Sequence, residues 1–536
     1  MQNIAITILF CLLSVLQSTK SNNEQFPPLR TFDIESKVKG FGYPFEKHSV
    51  TTADGYILEI HRVQYSPKSK ETNGRPPVLI MHGLLGSSAD FFHVGVGNAL
   101  PLRLSDIGYD VWLGNSRGNS WSRNHKTLNP DKNDTFWDFC LDELGTEDAP
   151  AIVDYVLKAT GTQSLSFVGH STGAAEFFML ASSKSEYNKK INAMAALAPV
   201  VYVNHSSSIV LNMINANDYT AVLALEKTLK LNEFLQHNFA VEAALYFLCK
   251  DDSKYQMLCE TALFLLQGYD PKELDKNVMY DFLLSFPAGT SIKQVNHFLQ
   301  TKISGKLRKF DYGIIKNLDV YNQRSPPEYD FSNISVPIGL FYGQNDLIVT
   351  KPEIDELASK LKNVTTFEIP YPRFTHLDFL LATDLDSLSN VYVMNYLNQY
   401  NGLDPIPTTT STTSPTTSTT SAATSTTSAT TSTTSAATST TSATTSTTSA
   451  ATSTTSAATS TTSAATSTTS ATTSTTSAAT STTSPTTSTT SAATSTTSAT
   501  TSTTSTTPAT GSSYYWTASL VLIMTECIYF GFFYYV

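Results

Sequence analysis

Gly169-His170-Ser171-Thr172-Gly173 lies between an apolar, β-rich run (Leu165–Val168) and a helix-like one that begins at Ala174. G-x-S-x-G in that setting describes a nucleophile elbow, a serine on a sharp strand-to-helix turn with its hydroxyl exposed and a helix N-terminus beside it. Such a turn brings neighbouring chain very close, and glycines two residues either side remove the Cβ atoms that would obstruct it. A serine hydroxyl is a weak nucleophile, so it needs a base within hydrogen-bond reach and an acid to orient that base. Along the chain, acid and then base should follow the serine. SVPIGLFYGQND, from Ser335, reads as a late apolar strand, a turn at Gly343 and Asp346 in the loop. Downstream of Asp346 there is a single histidine, His376. Ser171, Asp346 and His376 are therefore the expected catalytic residues, with Ser171 attacking, His376 moving the proton and Asp346 stabilising the imidazolium.

Attack on a carbonyl develops an oxyanion, which needs two N–H donors. One is the amide of Thr172, the residue after the nucleophile. The other is expected after the strand PPVLIM, where His82-Gly83-Leu84-Leu85-Gly86 turns, and is assigned to the amide of Leu84. His82 is expected to brace that turn from beneath rather than to act as a second base.

These residues need a sheet to hold them. Alternating or buried apolar runs at DGYILEIHRV, PPVLIMHG, YDVWLGNSRG, the elbow strand and INAMAALAPV predict strands. AIVDYVLKAT, opened by Pro150 and closed by Gly161, predicts a helix. From about 203 to 324 the pattern turns helix-like, in SIVLNMINA, VEAALYFLC, ETALFLLQG and YDFLLSF, before the sheet resumes at Val336. Cys249 and Cys259 flank a polar turn inside that insertion and are expected to form a disulfide, while Cys140, in FWDFC, is expected to be buried.

Composition bounds the rest. From Ser411 to Pro508 the chain repeats STTSAAT or STTSATT, with Pro variants. The period of seven is no coiled coil, because Ala is the only apolar residue in it. Between Asp404 and Glu526 no residue is charged. This composition predicts a disordered, mucin-like, O-glycosylated stalk. The net charge of −10 argues against nucleic acid and against electrostatic capture by anionic membranes. Ile4 to Leu16 has the length of a signal-peptide core, and Asn133, Asn204, Asn333 and Asn363 each open an N-x-S/T sequon. Tyr514 to Val536 is almost wholly apolar and follows small residues, which predicts either a GPI-attachment signal or a membrane-spanning tail. The expected organisation is a signal peptide at 1–20, a catalytic domain at 21–404 and a stalk at 405–510. A tail at 511–536 would hold the protein at the outer cell surface.

Further motifs carry a family resemblance over about residues 30–400. Gly42-Tyr43-Pro44-Phe45-Glu46, Thr52-Ala53-Asp54-Gly55-Tyr56, Gly114-Asn115-Ser116-Arg117-Gly118-Asn119 and Phe136-Trp137-Asp138-Phe139 join the elbow, His82-Gly83-Leu84-Leu85 and His376-Leu377-Asp378-Phe379. Together they resemble the acid lipases, the group of gastric, lysosomal and insect digestive lipases. The resemblance implies an α/β-hydrolase fold with a mainly helical cap over Ser171. It also implies hydrolysis of triacylglycerols or sterol esters at a lipid–water interface through an acyl-enzyme, with no metal or other cofactor. Cys249 and Cys259 correspond to the cap disulfide. Thr172 departs from the Gln of well-known members, which should alter the pocket and leave the amide donor in place. Two other readings stay open, an esterase for soluble esters and a lipid-binding surface protein with little turnover.

Overall fold

The computed structural model describes residues 32–407, apart from 70–73, 251–252 and parts of 213–247. The expected signal peptide, the stalk beyond 407 and the hydrophobic tail lie outside the described residues.

Nine strands form the main sheet among the described residues: β1 (Glu46–Thr51), β2 (Tyr56–Val63), β3 (Pro77–Met81), β4 (Asp110–Leu113), β5 (Asn124–His125), β6 (Leu165–His170), β7 (Ile191–Leu197), β8 (Ile338–Tyr342) and β9 (Val364–Glu368). Their order is β1-β2-β4-β3-β6-β7-β8-β9, with β5 paired to β2. The β1–β2 and β2–β4 pairings are antiparallel and the rest of the path is parallel. Parallel strands require crossovers, and helices supply them on both faces. The central strands are buried throughout because each face has its own core. Leu79, Met81, Trp112 and Phe167 pack on one side with Ile152 and Val153 of α3 (Ala149–Thr160) and Phe177 of α4 (Thr172–Ser183). Val78, Ile80, Val111, Leu113 and Val168 face the other side, with Leu102 and Leu104 of α2 (Leu100–Asp106) and Met394 and Leu397 of α10 (Val391–Asn401). The period of two along each strand deals its side chains to the two cores in turn.

Chain order reverses between β3 and β6. From β3 the chain goes outward to β4, and from β6 it goes the opposite way to β7, β8 and β9. Loops at the C-terminal ends of strands part at such a switch point and leave a crevice. His82-Gly83-Leu84 follows β3 and Ser171 follows β6, so the fold itself brings the expected oxyanion turn to the nucleophile.

The strands expected from the sequence lie where the alternation put them. β1 was not among them. It is an edge strand in which only Val50 is buried, so its sequence EKHSVT carries almost no apolar signal. Between β7 and β8 the described residues form α5 (Gln256–Gln267), α6 (Lys276–Leu283), α7 (Ile292–Ser304) and α8 (Ile314–Tyr321). The helix-like periodicity is not the whole of this segment, because Glu233–Phe234 pairs antiparallel with Thr290–Ser291. Ser291 ends that short ladder by capping α7 through Gln294 N–H and by donating to the Phe139 carbonyl, which roots the segment on the main domain. Much of VEAALYFLC falls outside the described residues. Past β8, a capping box formed by Thr350 and Glu353 opens α9 (Lys351–Ser359), and α1 (Ile34–Gly40) packs Ile34 and Val38 into the second core.

Candidate active site

Ser171 has φ 56° and ψ −122°, a strained left-handed backbone for a non-glycine residue. The surroundings impose it. Ser171 N–H donates to the Leu197 carbonyl at 2.9 Å and its own carbonyl accepts from Val200 N–H at 3.1 Å. The flanking glycines are required for the reason their spacing suggests. A Cβ on Gly169 would stand 2.6 Å from the backbone of Ala174, and one on Gly173 would stand 2.5 Å from the carbonyl oxygens of Met81 and His82. An alanine at 169 would push β6 off the start of α4, and one at 173 would push that start off the end of β3.

Ser171, His376 and Asp346 stand together. His376 Nε2 lies 2.9 Å from Ser171 Oγ, and His376 Nδ1 lies 2.8 Å from Asp346 Oδ2. Asp346 Oδ1 accepts from the N–H groups of Ile348 at 2.7 Å and Val349 at 2.9 Å, which fixes the carboxylate plane. All three side chains are buried, Ser171 at 8 % exposure the most open of them. Among the described residues, neither the Leu84 nor the Thr172 amide has a hydrogen-bond acceptor, and both belong to the turns that flank Ser171. Free N–H groups at a helix start and an adjoining turn can receive developing negative charge.

His82 is a brace. Its Nε2 accepts from Ser116 N–H at 3.1 Å, so the ring proton sits on Nδ1 and is donated to the Gly83 carbonyl at 2.8 Å. Burial drives its pKa down to about 4, so it stays neutral at working pH. His170 does similar work for His376. Burial holds its pKa near 3, and its Nε2–H donates to the His376 carbonyl at 3.0 Å.

One positioning residue escaped sequence reasoning. Gln267, the last residue of α5, is 2 % exposed. Its Oε1 accepts from Leu377 N–H at 2.7 Å and from Thr375 Oγ at 3.2 Å, on both sides of His376. Its main-chain carbonyl accepts from Leu347 N–H at 3.0 Å, next to Asp346. A glutamine ending an apolar helix gives no signal of this, because the loops it ties lie about a hundred residues downstream. Gln267→Leu removes the acceptor while keeping the volume. It is expected to lower kcat on a soluble ester about 10- to 100-fold with little change in KM, as steady-state kinetics would show.

Asp378, two residues after His376, accepts Thr375 N–H at 2.7 Å, and burial pushes its carboxyl up to about 7 from 3.8. The native state then keeps a proton that the unfolded chain releases. This contribution to stability is full below about pH 4 and is lost as pH rises through 7. Asp378→Asn cannot lose that proton. Its melting midpoint should match wild type near pH 4 and exceed it progressively towards pH 8, read by thermal scans across that range.

The remaining expected positions are placed as follows. Cys249 and Cys259 are joined in a disulfide, and Cys140 is buried. Asn133, Asn204, Asn333 and Asn363 are all exposed. Cys140, Asp142 and His297 have potential ligand atoms within 4.8 Å of one another. Both Asp142 oxygens are already engaged, by Tyr329 Oη and Phe310 N–H, and His297 Nε2–H donates to the Arg308 carbonyl, so the cluster acts as a hydrogen-bonded strut. Among the described residues no helix is long and apolar enough to cross a membrane.

Two family models match the chain, a partial α/β-hydrolase lipase region over residues 34–95 and the α/β-hydrolase fold over 76–382. The chain belongs to the α/β-hydrolase lipase family. Lipase 1 of Drosophila melanogaster is 37 % identical over 66 % of this chain and 77 % of its own length. Lipase 3 of the same fly is 35 % identical over 69 % of this chain and 93 % of its own. Human gastric triacylglycerol lipase is 36 % identical over 67 % of this chain and 88 % of its own. This family member is a lipase, a hydrolase of carboxylic esters.

Proposed function

We propose that the chain hydrolyses neutral lipid esters, triacylglycerols or sterol esters, through an acyl-enzyme on Ser171. What supports the reading most is the unbroken series Ser171 Oγ, His376 Nε2, His376 Nδ1 and Asp346 Oδ2 at hydrogen-bond distances. In the forward step the Ser171 hydroxyl gives its proton to His376 Nε2 as Oγ bonds to the ester carbonyl carbon. The carbonyl oxygen becomes an oxyanion held by the N–H groups of Leu84 and Thr172. His376 then gives the proton to the departing alcohol. Water repeats the sequence on the acyl-enzyme, releasing the fatty acid and restoring Ser171.

The segment between β7 and β8 is read as a cap over this site, stapled within itself by the Cys249–Cys259 disulfide and tied to the loops of Asp346 and His376 by Gln267. The four sequons and the leader support passage through the secretory pathway. The Ser/Thr-rich repeat is read as a stalk, and the apolar end as an anchor of GPI or transmembrane type at the outer cell surface. The experiment assays the full-length protein and a Ser171→Ala partner on emulsified triolein, cholesteryl oleate and a short soluble ester, at acidic and neutral pH. Fatty-acid release from the emulsions that disappears in the partner supports the lipase reading. Turnover of the soluble ester alone would make the protein an esterase, and no Ser171-dependent turnover would make it a lipid-binding surface protein.

A further inference from the structure

Helix α8 carries its polarity inside out. Its one fully buried residue is Asn317, whose Nδ2 donates to Asp311 Oδ1 at 2.8 Å and to the Arg324 carbonyl at 2.9 Å, while Oδ1 accepts from Tyr312 N–H at 3.0 Å. Polar bonds therefore hold the inner face. Ile314, Ile315 and Leu318 are 61 %, 82 % and 46 % exposed. At about 100° per residue these three form one stripe roughly 100° wide, the width an amphipathic helix ordinarily turns to a core. Here the stripe points into solvent. Scattered apolar residues on a surface need no explanation, but a contiguous stripe on a helix anchored by its polar side marks a contact surface.

Charge identifies what it contacts. The whole chain carries −10, yet residues 302–324 hold six basic side chains and two acidic ones. Of the two acids, Asp311 is already engaged by Gly313 N–H and Asn317 and Asp319 is exposed on α8, while Lys306 is paired with Glu328 just beyond the stretch. Lys316, on α8 itself, lies 4.4 Å from the Tyr312 ring, and Lys309 lies 5.6 Å from that of Tyr329. An apolar stripe in a basic neighbourhood is the composition of a surface that lies in a lipid–water interface and prefers negative charge there. Each ester hydrolysed leaves one carboxylic acid in the lipid surface, where it ionises at neutral pH.

We propose that α8 is a docking surface for neutral-lipid particles that carry fatty-acid carboxylates. Ile314, Ile315 and Leu318 enter the apolar layer, and Lys316 and Lys309 meet the carboxylates. Product then strengthens the hold of the enzyme on its own substrate. The choice of occupant rests on the lipase reading above, whereas the binding measured below does not require turnover.

The test uses the full-length chain with Ser171→Ala, mixed with triolein emulsion with and without oleic acid at neutral pH and then floated. Oleic acid should increase the bound fraction, and high salt should remove the increase. Ile314→Glu/Ile315→Glu should weaken binding to the oleate particles about tenfold. Lys309→Glu/Lys316→Glu should lose the oleate-dependent gain. All these chains share the same C-terminal tail, so it cancels in the comparison. Equal flotation of the isoleucine variant overturns the proposal, as does binding indifferent to oleic acid. Equal binding to neutral phosphatidylcholine vesicles would also overturn it. The isoleucine substitutions, placed in the chain with Ser171 intact, should leave soluble-ester turnover unchanged, which shows that the fold survives. If wild type hydrolyses no ester at all, the lipase reading fails while flotation still judges the surface.

Discussion

Asp346→Asn is expected to lower kcat by about four orders of magnitude while the protein stays folded. The hydrogen bonds around Asp346 dictate how the amide must sit. The place of Oδ1 is enclosed by two donors, Ile348 N–H and Val349 N–H, so an amide oxygen stays there and an NH2 there would clash with both. The NH2 is therefore directed at His376 Nδ1, where Oδ2 stood at 2.8 Å. It donates, and His376 must carry its proton on Nε2. That tautomer cannot accept the Ser171 proton. The fall should appear in steady-state kinetics on a soluble ester, with the melting midpoint close to wild type. A loss of less than tenfold would mean that the acid is elsewhere.

Arg117→Met should cost about 3–5 kcal/mol of stability, the largest effect expected away from the reacting groups. Arg117 is 1 % exposed and Asp148 is fully buried. Asp148 Oδ1 receives Arg117 Nη2 at 2.7 Å and Nε at 2.8 Å, and Oδ2 receives Arg117 N–H at 2.9 Å. Nη1 pairs with Asp54 Oδ2 at 2.5 Å, and the guanidinium lies 4.0 Å from the Tyr56 ring. Burial pushes the Asp148 carboxyl up and Arg117 opposes it, so removing the arginine leaves a buried charge with one backbone donor. Arg117→Lys should not rescue, since an ammonium cannot reach both carboxylates with a planar fork. Arg117→Met/Asp148→Leu should recover much of the loss, because a buried pair removed whole costs far less than one broken. Urea unfolding of the three variants checks this, and equal destabilisation by the single and double variants would contradict it.

The same network shows what the sequence could reveal. Thr52-Ala53-Asp54-Gly55-Tyr56 and Gly114-Asn115-Ser116-Arg117-Gly118-Asn119 were legible as family landmarks, but not for what they do. Asp54, Tyr56 and Arg117 meet only in three dimensions, around an aspartate at the start of α3 that no motif singled out. That Ser171, Asp346 and His376 would meet was legible because chain order and the supply of histidines left one choice. The glycines of the elbow were legible because sterics at a tight turn are local. Gln267 was hidden for the opposite reason: its partners Thr375, Leu377 and Leu347 are brought to it by the packing of α5, which no periodicity encodes. The outward stripe of α8 was hidden too, since periodicity marks an apolar face without saying whether a core or water lies opposite.

The most direct measurement is covalent trapping of the full-length protein with a fluorophosphonate ester, followed by peptide mass spectrometry and residual turnover on emulsified triolein. A single adduct on Ser171 is expected, lost when His376 is replaced by alanine, with hydrolysis falling in proportion to labelling. An adduct on another residue, or hydrolysis that survives complete labelling of Ser171, would contradict it.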